Sequence, residues 1–164
     1  MKIELKKCTP EDRSRLARLM QLYIHDFTDF LEWELNEDGC FEEDVVDDYF
    51  VDEAKFAWLI RVDGNLAGFV LVNQETVLKE NTGGHNIREF FVVRRWRRHG
   101  VGKAAAVETF SRFTGKWEVR VMKKNGKAEK FWEATISAYT GGKYRKELRD
   151  DNLWRGAIFS FETN

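Results

Sequence analysis

The stretch IREFFVVRRWRRHGVGKAAA, residues 87–106, constrains the chain more than any other. It joins a strand-like run, apolar almost without a break at its end, to a basic turn with two glycines and then to an alanine-rich helix former. Unbroken apolar strand ends read as buried on both faces. The chain must therefore bring a strand from inside a sheet straight into a tight turn and a helix. In that turn R-x-x-G-x-G (Arg97, Gly100, Gly102) puts glycine where backbone has to approach something closely. The first amides of the following helix are unpaired and lie at the positive end of its dipole, so they converge on one point suited to an anion such as a diphosphate. The alternative is a tight turn with solvated arginines. A nucleic-acid surface fits less well, since it needs a basic stripe together with a reading element.

The rest of the chain supplies a sheet for this motif. KIELKKC alternates as a half-buried strand. In TPEDRSRLARLMQLYIHDF, Thr9 is an N-cap, Pro10 occupies the first helical position and Asp12 closes a capping box, with Leu16, Leu19, Met20 and Tyr23 following at helical spacing. A second helix is expected through Phe27, Phe30, Leu31 and Glu34, ending before Gly39. KFAWLIRV and LAGFVLVNQ flank Asp63-Gly64-Asn65, a hairpin signal. WEVRVM reads as a strand and GKAEKFWEATISAY as a helix with Ala128, Phe131, Trp132 and Thr135 on one face. Late strands are expected near Tyr144–Leu148 and Gly156–Phe161. The order β-α-α-β-β-β-α-β-α-β-β predicts one α/β (α+β) domain over residues 1–164, a mixed and mostly antiparallel central sheet flanked by helices.

Charge is unevenly spread along the 164 residues. Net charge is −1, yet residues 26–53 hold thirteen acids and no Lys or Arg, leaving fifteen of the 28 acids to face all 27 bases. The anionic segment is either a solvated face or a funnel for a cationic ligand. No apolar run approaches the ~20 residues of a membrane span, and the N-terminus lacks the apolar core of a secretory signal. Cys8 and Cys40 have neither metal-ligand nor disulfide spacing, and a cytoplasmic location is expected. His25, His85 and His99 are scattered, so neither a metal site nor a catalytic triad is expected.

The strand–loop–helix over residues 87–106 resembles the acetyl-CoA-binding motif of the GCN5-related N-acetyltransferases (GNAT superfamily). NGKAEKFW, residues 125–132, is similar to that family's second motif, N-x-x-A-x-x-F-[YF], and the order of elements matches that fold over most of the chain. A bacterial subgroup of predicted acetyltransferases shows the same succession. The resemblance implies acetyl-CoA as cosubstrate and no metal. It implies that Phe91, Val92 and Val93 offer backbone groups to the pantetheine arm, with the amide of Val93 polarising the thioester carbonyl. It places Arg97, Arg98, His99, Gly100, Val101, Gly102 and Lys103 around the pyrophosphate. It has Asn125 hydrogen-bonding the pantetheine, with Ala128 and Phe131 packed along it.

Acyl transfer to an amine needs a base for the ammonium and an acid for the leaving thiolate. Glu89 stands where polyamine-acetylating relatives carry an acidic residue, and is the expected base. Its alternative role is that of an ordinary strand carboxylate paired with an arginine. The second motif often supplies a tyrosine as acid, but here that position is Trp132, whose indole cannot protonate a thiolate. The expected acceptor is a small cationic amine drawn to residues 26–53. A non-catalytic acyl-CoA-binding module of the same fold is the rival. Neither nucleic acid nor membrane is an expected partner. Homodimers are common in the family, and nothing in the sequence marks an interface.

Overall fold

The computed structural model describes every residue, Met1–Asn164. Seven strands form one open sheet in the order β1-β2-β3-β4-β5-β7-β6. They are β1 (Ile3–Lys7), β2 (Phe56–Val62), β3 (Asn65–Asn73), β4 (His85–Val92), β5 (Gly115–Met122), β6 (Arg145–Asp150) and β7 (Arg155–Thr163). Every neighbouring pair is antiparallel except β4 and β5. The helices are α1 (Arg13–Phe27), α2 (Asp48–Val51), α3 (Val101–Phe110) and α4 (Gly126–Thr140). No helix is long and apolar enough to cross a membrane.

Each face of the sheet carries its own core. On one face Leu16, Leu19, Met20 and Ile24 of α1 and Tyr49 of α2 pack on Leu59, Phe69, Leu71 and Phe91. The four α1 residues recur at helical spacing, and burying each side chain is worth roughly 1.5–3 kcal/mol. On the other face α3 and α4 cover a larger core around the fully buried Phe110, Trp117 and Ile136. The apolar end of β4 serves both, since Phe91 belongs to the first core and Val92 to the second.

Local signals explain most boundaries. Thr9 and Asp12 close the capping box, although the first turn, Pro10–Asp12, is a 3-10 turn. Asp63 and Gly64 both take positive φ, 48° and 81°, in the two-residue turn between β2 and β3.

The second helix is a correction. It does not run through Phe30 and Glu34; the only helix between α1 and β2 is the single turn at Asp48–Val51. After Phe27 two further turn bonds form, from the amides of Phe30 and Leu31 to the Phe27 carbonyl, and the helix stops. Asp29, Glu32 and Glu34 would sit at a helix C-terminus, where the macrodipole disfavours negative charge. Asn36 then takes over the backbone, its side-chain oxygen accepting from the amides of Asp38 and Cys40, both at 3.0 Å. The Gln21 side chain accepts from the Phe41 amide at 2.7 Å and donates to its carbonyl at 3.0 Å, fastening this acidic loop across α1.

Candidate active site

β4 and β5 pair over only three positions, His85–Ile87 against Trp117–Val119. β4 stays with β3 as far as Val92 and β5 stays with β7 as far as Met122, so the two strands part company and a wedge opens between them. Along the wedge, the β4 backbone has no sheet partner on one side.

Which β4 amides face the wedge follows from the pairing. The Val93 amide donates to the Ala67 carbonyl at 2.8 Å. Donors in an antiparallel strand alternate between its two sides. Phe91 therefore also points at β3, and the amides of Phe90 and Val92 face the wedge. This corrects the expected part of Val93: its N–H is spent on the sheet, and the open donor nearest the strand end is that of Val92. The Val92 carbonyl accepts from Arg97 Nε at 2.7 Å.

Beyond the wedge the chain turns into α3. Arg98 and Gly100 have φ of 63° and 79°, and Gly100 caps the helix in a left-handed conformation that glycine adopts without strain. The first intrahelical bond runs from the Ala104 amide to the Gly100 carbonyl, which leaves the amides of Val101, Gly102 and Lys103 free at the positive end of the helix. Gly102 has a further reason to be glycine: a Cβ there would lie 3.2 Å from the Phe131 ring, so α3 and α4 meet at this point.

The arginines divide their work. Arg94 and Arg97 both reach back to Asp26 at the end of α1, Arg94 at 2.7 Å. Burial pushes the Asp26 carboxyl up, but the two guanidinium groups outweigh it and hold it below the usual range. His99 folds onto the Arg97 carbonyl, with Nδ1 at 2.7 Å. Arg97 thus braces the strand end against α1, while the groups the turn leaves unpaired are backbone amides. Asn125 caps α4, its oxygen accepting from the Ala128 amide at 3.2 Å, and its amide NH2 is left free.

A cavity of about 870 Å³ fills the mouth of the wedge. Its walls come from α1, β4, β5, the start of α4 and the acidic loop, with Trp154 and Arg155 at one end. Glu89 lies in it because β4 bulges at Arg88, where Leu71 pairs with Glu89 but Val72 pairs with Ile87. Such a bulge re-aims the side chains beyond it. The Tyr23 hydroxyl donates to Glu89, and Arg88 Nε stands 3.7 Å from the other carboxylate oxygen. Burial raises the Glu89 pKa, and Tyr23, Arg88 and Arg120 offset that only in part. Tyr23, buried beside that carboxylate, is pushed well up and keeps its proton.

Glu89 lies on β4 as the sequence pattern has it, whereas Tyr23 shows in the sequence only as part of the helical spacing of α1 and not as the partner of Glu89. Trp132 is buried with its ring edge-on to Phe90 at 4.9 Å. The tyrosines nearest to it in sequence are occupied elsewhere: Tyr139 packs on Phe110 and Phe161, and Tyr144 donates to Glu133 at 3.2 Å. Tyr23 is the phenol in the cavity. No cluster of three or more metal-ligating side chains forms.

An open mixed sheet split between its parallel neighbours, followed by a glycine-capped helix, is the architecture of GNAT-class acetyltransferases. The chain belongs to this family: the model of the acetyltransferase (GNAT) family matches residues 16–136. An acetyltransferase from Thermus thermophilus superposes with a TM-score of 0.70 at 20% identity, over 99% of this chain and 98% of that one. A GNAT-family acetyltransferase from Bacillus cereus ATCC 10987 gives 0.65 at 14% identity, over 100% and 99%. A chimeric spermidine N-acetyltransferase from Vibrio cholerae and hSSAT gives 0.61 at 12%, over 99% and 96%. These likenesses are of fold. No curated protein matches the chain.

Proposed function

We propose that the protein transfers the acetyl group of acetyl-CoA to the primary amine of a small acceptor that arrives as its ammonium, by direct attack. The observation that carries this reading is the carboxylate of Glu89, its side chain only 16% exposed, inside a cavity continuous with the β4–β5 wedge. The wedge suits an extended donor arm, which would take its hydrogen bonds from the free edge of β4 and pass Ala128 and Phe131. The free amides of Val101, Gly102 and Lys103, with the basic side chains of Arg98 and Lys103, suit the diphosphate.

The chain's own groups divide the chemistry between them. Glu89, its pKa raised by burial, accepts a proton from the ammonium, which frees the nitrogen lone pair. The nitrogen attacks the thioester carbonyl carbon, and the Val92 amide stabilises the charge that develops on oxygen. The C–S bond then breaks and sulfur leaves with the electron pair. A thiol's pKa is about 8.5, so the thiolate can leave without a residue to protonate it. Trp132 has no such proton to give. Use of acetyl-CoA fits a cytoplasmic setting, where Cys8, half-buried and pushed up to about 12, would persist as an inert thiol.

Trp132 is also the feature that favours a second reading, a binding module without turnover. Thermal shift with acetyl-CoA followed by CoA release over an amine panel separates the two. Glu89→Gln is expected to lower kcat by about 10²-fold or more with little change in acetyl-CoA affinity. A wild-type protein that binds acetyl-CoA and releases no CoA with any amine would establish the module instead.

A further inference from the structure

One wall of the cavity has no task in the reaction above. Side chains of β5 alternate across the sheet: Trp117, Val119 and Val121 enter the core beneath α3 and α4, and Arg120 emerges on the cavity side. Arg120 Nη2 donates to the Glu75 carbonyl at 3.0 Å and, with the Asn86 amide turned so that its oxygen faces the guanidinium, to Asn86 at 2.9 Å. No carboxylate lies within ion-pair distance of this half-buried guanidinium, and Nη1 has no protein partner.

A second element converges on the same place. Trp154, in the turn between β6 and β7, lies against the guanidinium with its ring centroid 5.4 Å away, and it too lines the cavity. Its indole N–H is shut off from solvent and has no hydrogen-bond partner. A buried donor left unpaired costs about 1–3 kcal/mol, so such groups ordinarily have a partner. A charged donor open to the cavity and an unpaired indole donor just beneath its surface therefore meet at a cavity that acidic residues also line.

We propose that Arg120 and Trp154 form a subsite for a carboxylate on the acceptor, so that the acceptor is an amino-acid-like molecule. Its ammonium faces Glu89 and the acidic loop, and its carboxylate lies against Arg120, with the Trp154 N–H paired once the side chains over it shift on binding. A planar carboxylate matches the flat guanidinium fork. A doubly charged phosphate matches less well, because Glu89 and the acidic side chains of Glu32, Glu34, Glu42, Glu43 and Asp44 line the same cavity. The subsite rests on the acetyl-transfer reading only for the fate of the amine.

The test compares matched acceptors: L-lysine, L-lysinamide and 1,5-diaminopentane, then L-phenylalanine, L-phenylalaninamide and phenethylamine. The wild type is expected to favour the carboxylate member of at least one set by tenfold or more in kcat/KM. Arg120→Met should bring that ratio close to one. Trp154→Phe, which keeps the ring and loses the donor, should lower it several-fold while the thermal melt stays near wild type. Preference for the decarboxylated amines in both sets, or a ratio untouched by both substitutions, overturns the subsite. If no amine is turned over, saturation-transfer NMR measures binding of L-lysine and L-phenylalanine against their amides. A carboxylate preference lost in Arg120→Met then supports the subsite although acetyl transfer has failed, and equal binding of acid and amide overturns it.

Discussion

Tyr23 and Glu89 show what a single residue discloses and what it hides. Glu89 is legible because it interrupts an apolar strand with a charge. Tyr23 sits at core spacing on α1, and the partner that gives its hydroxyl a purpose is 66 residues away. The direction of an amide is equally hidden: Val92 and Val93 differ in pairing, not in chemistry, and the Ala67 bond decides between them. The Tyr23 hydroxyl favours ionised Glu89 against the burial that raises its pKa. Tyr23→Phe should raise that pKa further, so the acidic limb of the kcat/KM profile moves to higher pH. At neutral pH kcat should fall by no more than about fivefold, roughly what a hydrogen bond of about 1 kcal/mol is worth. Stability follows the same sign. A carboxyl with a raised pKa binds its proton more tightly when folded, so folding loses stability as pH rises from the ordinary carboxylate value through the raised one. The variant should carry this loss to higher pH, read from melting curves across that window. An unmoved acidic limb would take Tyr23 out of contact with the base.

Among the elements, those with one dominant local signal were readable. The Asp63-Gly64 hairpin, the capped start before α1 and the strand–turn–helix at residues 87–106 all fold where their residues point. The expected helix through Phe30 had a period but opposed its own dipole, and a side chain 15 residues upstream of Asn36, Gln21, holds the loop that replaced it. The wedge itself depends on Gly68. A Cβ there would stand 1.9 Å from the Phe91 carbonyl oxygen, so β3 and the end of β4 approach more closely than any side chain allows. Gly68→Ala must push the end of β4 away, which should cost about 3 kcal/mol and weaken acetyl-CoA binding in the same variant. Gly126→Ala is the control. Nothing lies within 4 Å of a Cβ at that position, in the first turn of α4, and the melt should hold or rise slightly. Thermal melts with and without acetyl-CoA read both effects. Full acetyl-CoA affinity in Gly68→Ala would detach the donor site from the strand end.

For the molecule as a whole, the separation of charge was countable in the sequence, but its position was not. Thirteen acids without a base between residues 26 and 53 fit a solvated face as well as a funnel. The fold decides in part, since Gln21 ties the loop across α1 and the exposed Glu32 and Glu34 line the cavity. Neither glutamate has an ion-pair partner, so their field is directed at whatever enters. A field of this kind acts through solvent, and its reach falls from about 10 Å at 0.1 M salt to about 3 Å at 1 M. The KM for 1,5-diaminopentane should therefore climb several-fold with salt. The double variant Glu32→Gln/Glu34→Gln should begin with a raised KM at low salt and meet the wild type at high salt. The KM for acetyl-CoA, itself an anion, should stay level or fall in the variant, since two like charges have gone. Steady-state kinetics at two salt concentrations distinguishes the outcomes. Curves that stay apart at high salt would mean that the glutamates touch the amine directly. Curves that coincide throughout would leave the acidic loop as solvated surface and the acceptor's charge to be read by Glu89 alone.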